Sequence, residues 1–323
     1  MTIESGEHTF SGATGRLDSG LPKGDKTQEL GEFLGKDNVN IVVLDSGVGG
    51  ISVAADLYER TKRSGIFAAA NITFFNAKPH PTTGYNSLGT DKEKILTFDQ
   101  VLQSMGNRLE PDLLLLACNT LSVLYPKTAH SSSTAYPVVG IVETGVNLIK
   151  KSLEEQQHSD VFIFGTETTI EQGTHKNILT DQGVAVDRIH TKACPGLTLA
   201  IENDPHDSVT TSLIDQYVSE AVEGYTQNGN TLFTSLNCTH YGYSSDVFRD
   251  AFAHKGIENV SILDPNPYMA DFMFDSRRPT RFQGTNVSIS FASYASWDPE
   301  NSPSIRRIIS SVSPETAATM ITH

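Results

Sequence analysis

The chain has 323 residues and a formal charge of -14 at pH 7, from 24 Lys and Arg residues against 38 Asp and Glu residues. This length favours one domain or two modest ones. The acidic balance argues against a nucleic-acid partner, whose phosphates would be repelled.

Cysteine count and hydropathy narrow the class of protein further. The three cysteines form neither a disulfide framework nor a zinc-ligand spacing, and the histidines match no metal motif, so we expect a reducing compartment and no metal site. The first residues do not resemble a signal peptide, and no apolar stretch approaches the roughly 18 residues of a membrane span. We therefore expect a cytoplasmic protein that does not contact membranes.

The predicted elements alternate along the chain after an N-terminal stretch. Residues 1–36 are rich in Gly, Ser, Thr, Lys and Glu without sustained periodicity, which predicts a flexible extension. The predicted strands span 41–44, 71–75, 112–117, 138–141, 160–164, 184–190, 231–236, 260–263 and 287–292. The predicted helices span 51–63, 91–109, 120–128, 145–156, 169–182, 197–203, 208–226, 246–255 and 303–311.

This alternation predicts an α/β fold made of two open parallel-sheet lobes, with the active site in the cleft between them. We expect residues 37–137 and 243–323 to form the first lobe, and residues 138–242 to form the second. Open parallel sheets present ligands at the carboxyl ends of their strands. Side chains that follow a predicted strand are therefore the candidates for function.

A glycine-rich turn, Asp-Ser-Gly-Val-Gly-Gly at residues 45–50, follows the first predicted strand and precedes a helix. Its N–H groups could meet a ligand, although a plain tight turn has the same composition. The turn lacks both the G-x-G-x-x-G spacing of dinucleotide sites and the lysine of a P-loop. Asp45 favours the functional interpretation.

Cys118 follows four consecutive leucines, so it could simply be a buried cysteine that ends a core strand. Asn119 and Thr120 come next, and their polar side chains are costly to bury at a strand end unless something binds them. Recognition of a carboxylate would satisfy both.

Cys238 follows another predicted strand, and His240 lies two positions later. Residues i and i+2 of an extended segment project to the same side, so the imidazole can influence the thiol, and a protonated imidazole favours the thiolate. The pair also permits a Cys-His nucleophile of the hydrolase type. A hydrolase leaves Cys118 unexplained, whereas two thiols from two halves of the chain suggest one acid and one base across a shared pocket.

These motifs, in this order, resemble the aspartate/glutamate racemase superfamily, and glutamate racemase in particular, from about residue 40 to the end of the chain. His240, where aspartate racemases typically carry Glu, favours the glutamate branch. The resemblance implies a cofactor-independent isomerase that interconverts L- and D-glutamate by two-thiol proton transfer and serves peptidoglycan biosynthesis. It also implies a small anionic amino acid as partner.

The resemblance also implies a set of site residues. The catalytic residues it implies are Cys118, Cys238, Asp45, His240 and Glu202, of which Glu202 by its position alone would be solvated helix surface. The implied substrate-binding residues are Ser46, Asn119, Thr120, Thr239, Thr83, Gly84, Thr168 and Thr169. Cys194, which has no neighbouring His or acid, is assigned a structural role.

Two departures leave alternatives open. The family's Pro-Tyr-Gly element is replaced near Thr83 and Gly84, and residues 275–284 form an enlarged segment. The altered element motivates a racemase of another acidic amino acid or of a hydantoin. The long N-terminal stretch motivates a non-catalytic homologue that binds a small acid. A homodimer is one assembly we consider, because the residues do not fix the oligomeric state.

Overall fold

The computed structural model describes residues 25–227, 229–275, 278–298, 300 and 302–321. The strands are β1 Asn38–Asp45, β2 Ala69–Asn76, β3 Leu113–Leu116, β4 Val138–Gly140, β5 Val161–Gly165, β6 Ile189–Ala193, β7 Leu232–Asn237, β8 Val260–Leu263 and β9 Asn286–Ser293. The helices are α1 Asp25–Gly35, α2 Ile51–Ser64, α3 Asp91–Leu109, α4 Asn119–Leu124, α5 Ile141–Glu155, α6 Glu167–Glu171, α7 Thr174–Asp181, α8 Leu197–Asn203, α9 Ser208–Ala221, α10 Ser245–His254, α11 Pro303–Val312 and α12 Pro314–Thr319.

Two parallel sheets organise the described residues, which confirms the predicted α/β class. The first has five strands in the order β4-β3-β1-β2-β9, and the second has four in the order β6-β5-β7-β8. The pairings given for both sheets are all parallel. Each strand order reverses direction around the first strand of its sheet, and such a switch point is where open α/β sheets bind ligands.

The apolar core continues from one sheet to the other. One cluster of buried residues joins Val42 and Leu116 of the first sheet to Ile163 and Phe233 of the second. Further clusters cover the outer face of each sheet. The interior strands β3 and β5 are continuous apolar runs, as expected for parallel strands that are covered on both faces.

Strand pairing differs from the predicted lobes at two places. β4 was expected at the start of the second lobe but pairs with β3 in the first sheet, and β8 was expected in the first lobe but pairs with β7 in the second. Both are short apolar runs at the edge of a sheet. A run of three or four apolar residues fits the edge of either sheet, so chain position alone does not assign it. The lobe boundaries themselves stay a prediction.

The N-terminal prediction is wrong for residues 25–35, which form α1. Leu30, Phe33 and Leu34 are buried on one side of this helix and belong to the core of the first sheet. Their i, i+3, i+4 spacing is that of an amphipathic helix. The pattern contains only three apolar residues, so it is difficult to recognise among the polar and charged residues around it. Residues 1–24 lie outside the described residues.

Local differences occur where a short helix or a turn interrupts the pattern. The predicted strand over 184–190 is wrong for its first half, because a 3-10 turn occupies Val186–Arg188 before β6 begins. The predicted helix over 169–182 is divided into α6 and α7 at Gly173, whose φ of 64° is left-handed. Within the described part of the chain, we find no helix with the length and apolarity that crossing a membrane requires.

Candidate active site

Asp45, the last residue of β1, connects the two sheets at the candidate site. Its carboxylate accepts hydrogen bonds from the backbone N–H groups of Gly50 at 2.6 Å and Gly47 at 3.2 Å. It also accepts one from the Thr239 hydroxyl at 2.7 Å, which comes from the turn after β7. These three donors replace the water that burial removes from the carboxylate oxygens. This contact joins the carboxyl ends of the two sheets.

The glycine-rich turn permits a close approach of backbone to side chains of the second sheet. A Cβ atom at Gly49 would lie 2.4 Å from the Thr239 hydroxyl oxygen and 2.5 Å from Nδ1 of His240. A Cβ atom at Gly50 would lie 2.7 Å from the Asp45 carboxylate and 2.9 Å from Cβ of Ala117. The turn therefore needs glycine for packing across the interface, which is a use other than phosphate binding.

Cys118 lies between β3 and α4 and is 5% exposed. Its Sγ is 3.1 Å from the Ser46 hydroxyl, with which it shares a hydrogen bond. Burial raises the pKa of the Cys118 thiol, the negative charge of Asp45 raises that pKa further, and the Ser46 hydrogen bond opposes both only in part. These surroundings favour the neutral thiol.

The two residues after Cys118 present polar atoms at the start of α4. Asn119 is 2% exposed, and neither its amide oxygen nor its amide nitrogen has a hydrogen-bond partner among the described residues. The Thr120 hydroxyl lies 2.8 Å from that of Thr166 and 3.5 Å from that of Thr169, both of which follow β5. A buried amide with both ends unsatisfied is costly unless a ligand pairs with it.

Cys238 follows β7 and is 7% exposed. Its Sγ lies 4.0 Å from Nδ1 of His240 and 3.5 Å from the Thr198 hydroxyl at the start of α8. Each cysteine thus has one hydroxyl and one ionisable group beside it. The ionisable groups differ in sign, because Cys118 lies near a carboxylate and Cys238 near an imidazole.

His240 connects Cys238 to Glu202 on α8. Its Nε2 is 3.5 Å from Oε2 of Glu202, and the Ser302 hydroxyl at the start of α11 donates to Oε1 of Glu202 at 3.1 Å. Both charged residues are buried, with His240 3% and Glu202 6% exposed. Glu202 is therefore not the solvated helix surface that its position alone suggests.

The ionisation of this buried pair follows from its contacts. Burial by itself lowers the pKa of His240, but Cys238 and Glu202 outweigh burial and raise this pKa to about 10. Burial raises the pKa of Glu202, but His240 outweighs that effect and the pKa is lowered overall. His240 is accordingly a cation at neutral pH, held between a carboxylate and a thiol.

The other residues predicted to bind the substrate differ in how far they are buried. Thr168 and Thr169 are buried at the start of α6, and the Thr168 hydroxyl accepts a hydrogen bond from Nζ of Lys94 at 2.8 Å. Thr83 is exposed and Gly84 is half-buried, in the loop before α3. The next residue, Tyr85, is 2% exposed, and its hydroxyl has no hydrogen-bond partner among the described residues.

Cys194 stands apart from the hydrogen bonds that link the other two cysteines to the site. It is 1% exposed within the apolar cluster of the second sheet, and its Sγ contacts the Lys192 carbonyl oxygen at 3.8 Å. In the described ranges, no group of three or more His, Cys, Asp and Glu side chains is arranged to hold a metal ion.

Several contacting residues have no signal in the sequence. Thr198, Ser302, Tyr85 and Lys94 lie within ordinary helix or turn patterns, and they reach the site only through tertiary contacts. Thr166 is the exception, because it lies two residues after the predicted strand 160–164 and its position alone could have indicated it.

Comparison of sequences finds no matching family model but finds similar curated proteins. The chain is 28% identical over 224 residues to the glutamate racemase of Persephonella marina, which covers 69% of this chain and 78% of that protein. It is 25% identical over 238 residues to the glutamate racemase of Aquifex aeolicus, covering 73% and 83%.

Comparison of structures finds the same fold in solved glutamate racemases. The Bacillus anthracis enzyme superposes with a TM-score of 0.62 at 20% identity, covering 84% of this chain and 93% of that one. The Francisella tularensis enzyme, solved in complex with D-glutamate, has a TM-score of 0.62 at 16% identity, covering 85% and 94%. The arrangement of two parallel sheets is therefore shared with these enzymes.

Proposed function

We propose that this chain, an amino-acid racemase of the aspartate/glutamate racemase superfamily and most like glutamate racemase, interconverts L- and D-glutamate through the thiols of Cys118 and Cys238. The observation that carries the proposal is the pairing of the two cysteine turns. They leave strands of different sheets, and Thr239, next to Cys238, donates a hydrogen bond to Asp45, the residue before the Ser46 that bonds Cys118. Inversion at a carbon needs an acid on one face and a base on the other.

The surroundings of each thiol suggest opposite resting states. Cys118 is a neutral acid, because burial and the charge of Asp45 raise its pKa. Cys238 is assigned the role of base, because the His240 cation lies beside it, with Nδ1 4.0 Å from Sγ. One thiol removes the Cα proton and the other delivers a proton to the opposite face, so their protonation states exchange with each turnover. The reverse reaction starts from the exchanged form.

Substrate recognition is assigned to polar groups at the carboxyl ends of the strands. The Asn119 amide supplies an unpartnered donor and acceptor, suited to the amino and carboxylate groups at Cα. Ser46, Thr120 and Thr239 supply hydroxyls on either side of it. Asp45, with its negative charge, supports the substrate ammonium as well as the acidity of Cys118.

Exclusion of water supports the proton-transfer step. Removing a proton from Cα leaves negative charge beside a carboxylate, and each tenfold increase in rate requires stabilising this transition state by about 1.4 kcal/mol. Fixed dipoles in a dry site do so at low reorganisation cost. The candidate reacting groups already lie largely out of water, because Cys118, Cys238 and His240 are all buried.

The decisive experiment is incubation of the folded enzyme with L-glutamate and, separately, with D-glutamate in heavy water. We expect deuterium at Cα and the opposite enantiomer to appear from both substrates, measured by proton NMR and chiral chromatography. Absence of exchange from both enantiomers would reject glutamate as substrate.

A racemase of another acidic amino acid or of a hydantoin is the second candidate. It is favoured by the exposure of Thr83 in the loop that the resemblance assigns to substrate binding. The same incubation with aspartate and with a substituted hydantoin tests it. Faster exchange with either compound than with glutamate would select this candidate.

A further inference from the structure

Lys94 is a buried cation beside the candidate site. It lies in the first part of α3 and is 7% exposed, whereas Lys92, two residues before it, is exposed. Its Nζ donates to the Thr168 hydroxyl at 2.8 Å. The nearest carboxylate is that of Asp91 at 3.9 Å, beyond hydrogen-bond distance, and the Asp91 side chain is 47% exposed.

This pairing leaves the ammonium poorly compensated. A lysine ammonium has three donors, and the contacts of Lys94 give one of them a neutral hydroxyl acceptor. Burying a charge is costly unless an opposite charge and hydrogen bonds offset the lost hydration, and the solvated Asp91 carboxylate does so weakly. A second anion would therefore be bound favourably at Nζ.

Lys94 also points toward the residues assigned to the substrate. Its acceptor, Thr168, precedes Thr169, whose hydroxyl lies 3.5 Å from that of Thr120. The Thr168 hydroxyl donates to the side-chain oxygen of Asn86 at 2.7 Å, so its lone pairs face the ammonium. Thr168 and Asn86 thus hold Nζ beside the start of α6, the segment whose Thr169 hydroxyl contacts Thr120.

We propose that Lys94 binds the distal carboxylate of the substrate and so selects dicarboxylic amino acids over those with neutral side chains. This inference rests on the proposed function and adds the residue that decides the substrate class. The chain carries a formal charge of -14, which disfavours an anionic substrate, and a local cation would offset this repulsion at the second carboxylate. The reacting groups at Cα do not supply one, because His240 is engaged by Glu202.

A second lysine provides the competing assignment. Lys78 follows β2 and is half-buried, and its positive charge contributes to the lowered pKa of Glu202. Lys78 therefore lies on the side of Cys238, whereas Lys94 lies on the side of Thr168. Replacing each lysine separately shows which of the two binds the distal carboxylate.

The experiment compares Lys94→Met, Lys94→Arg and Lys78→Met with the matched surface control Lys92→Met. Binding of glutamate and of norvaline, which has a neutral side chain, is measured by calorimetry, and exchange at Cα in heavy water is measured for both. For Lys94→Met we expect the Kd and KM for glutamate to rise about 30-fold, because a charge-assisted hydrogen bond is lost, with little change for norvaline. Lys94→Arg should recover part of the glutamate affinity, and Lys92→Met should match the unmodified protein.

The results separate this inference from the proposed function. Equal losses for glutamate and norvaline in a folded Lys94→Met protein, or selective loss of glutamate binding in Lys78→Met instead, would overturn the role of Lys94. Absence of Cα exchange in the unmodified protein would reject the proposed function. Calorimetry would still decide the inference in that case, since selective weakening of glutamate binding by Lys94→Met supports it and unchanged binding contradicts it.

Discussion

Cys118 and Cys238 occupy equivalent positions after parallel strands, yet their surroundings differ in charge. Cys118 has a carboxylate and a serine hydroxyl nearby, and burial raises its pKa. Cys238 has a threonine hydroxyl and an imidazole whose pKa is raised to about 10. The two thiols therefore have neighbours of opposite sign, and the proposed acid and base roles rest on this difference.

The difference also extends to how each neighbour is held. Asp45 is fixed by backbone donors within its own turn, whereas His240 depends on Glu202 and, behind it, on Ser302 from α11. The surroundings of Cys118 are consequently local, whereas those of Cys238 depend on distant parts of the chain. Changes made far from the thiols should affect Cys238 more than Cys118.

Loss of either thiol should have the largest effect. Cys118→Ser and Cys238→Ser are each expected to lower racemisation about 1,000-fold in both directions, because a hydroxyl is a much weaker acid than a thiol and general acid-base groups contribute about 100- to 10,000-fold. Chiral chromatography of glutamate measures this. Cys194→Ala is the control and should retain the rate of the unmodified protein. Full racemisation by either serine variant would rule out the two-thiol scheme.

Gly49→Ala should lower activity about 100-fold by displacing Thr239 and His240, the two residues that follow Cys238. Its Cβ would lie within 2.5 Å of Thr239 and His240, so these side chains or the turn must shift, and a small misplacement of reacting groups is costly. Steady-state kinetics and thermal unfolding measure the result. Gly31→Ala, where a Cβ meets nothing within 4 Å, is the control. A fully active Gly49→Ala enzyme would show that the approach of the turn to His240 is unimportant.

His240 should make stability depend on alkaline pH. Because its folded pKa of about 10 lies above the ordinary value of 6.5, its contribution to stability is fully present below about pH 6.5 and is lost as the pH rises through 10. The difference in Tm between the unmodified protein and His240→Asn should therefore shrink between pH 7 and pH 10. A difference that stays constant over this range would mean that His240 is not held as a cation.

Thr198→Val should have the smallest effect, about tenfold, and should separate the two thiols. The substitution removes the hydroxyl beside Cys238, and a hydrogen bond is typically worth about 0.5–1.5 kcal/mol, of which the upper end corresponds to about tenfold in rate. Ser46→Ala removes the corresponding hydroxyl from Cys118. We expect pH–rate profiles in which the two variants shift opposite limbs, and identical shifts would contradict the assignment of acid and base.

The central strands and long helices are predictable from sequence because their signals are local. The predicted bounds of α3 and β8 agree with the structure, since α3 begins after an N-cap threonine and β8 is a short apolar run between polar residues. The edge strands β4 and β8 were assigned to the wrong sheet, because pairing depends on what lies beside a strand in space. The helix α1 was missed because its apolar face has only a few residues.

The residues of the candidate site likewise fall into those that the sequence indicates and those that only the structure reveals. Asp45, Cys118 and Cys238 stand at the ends of predicted strands, so their convergence could be expected from topology. Glu202 acquired a role only through the family resemblance, and its contact with His240 is visible only in three dimensions. Thr198, Ser302 and Lys94 lie on helices or turns without a distinguishing pattern, and no spacing rule brings them to the site.

The sequence by itself determined the α/β class and the residue types at the strand ends, because strand periodicity and chain order are properties of neighbouring residues. Only the tertiary structure decided what each thiol faces. Whether a cysteine meets a carboxylate or an imidazolium depends on which helix crosses which strand end, and ionisation depends on burial and charges contributed by distant segments. The opposite charges beside Cys118 and Cys238 are therefore a product of packing, whereas the positions of the two cysteines after predicted strands follow from the sequence.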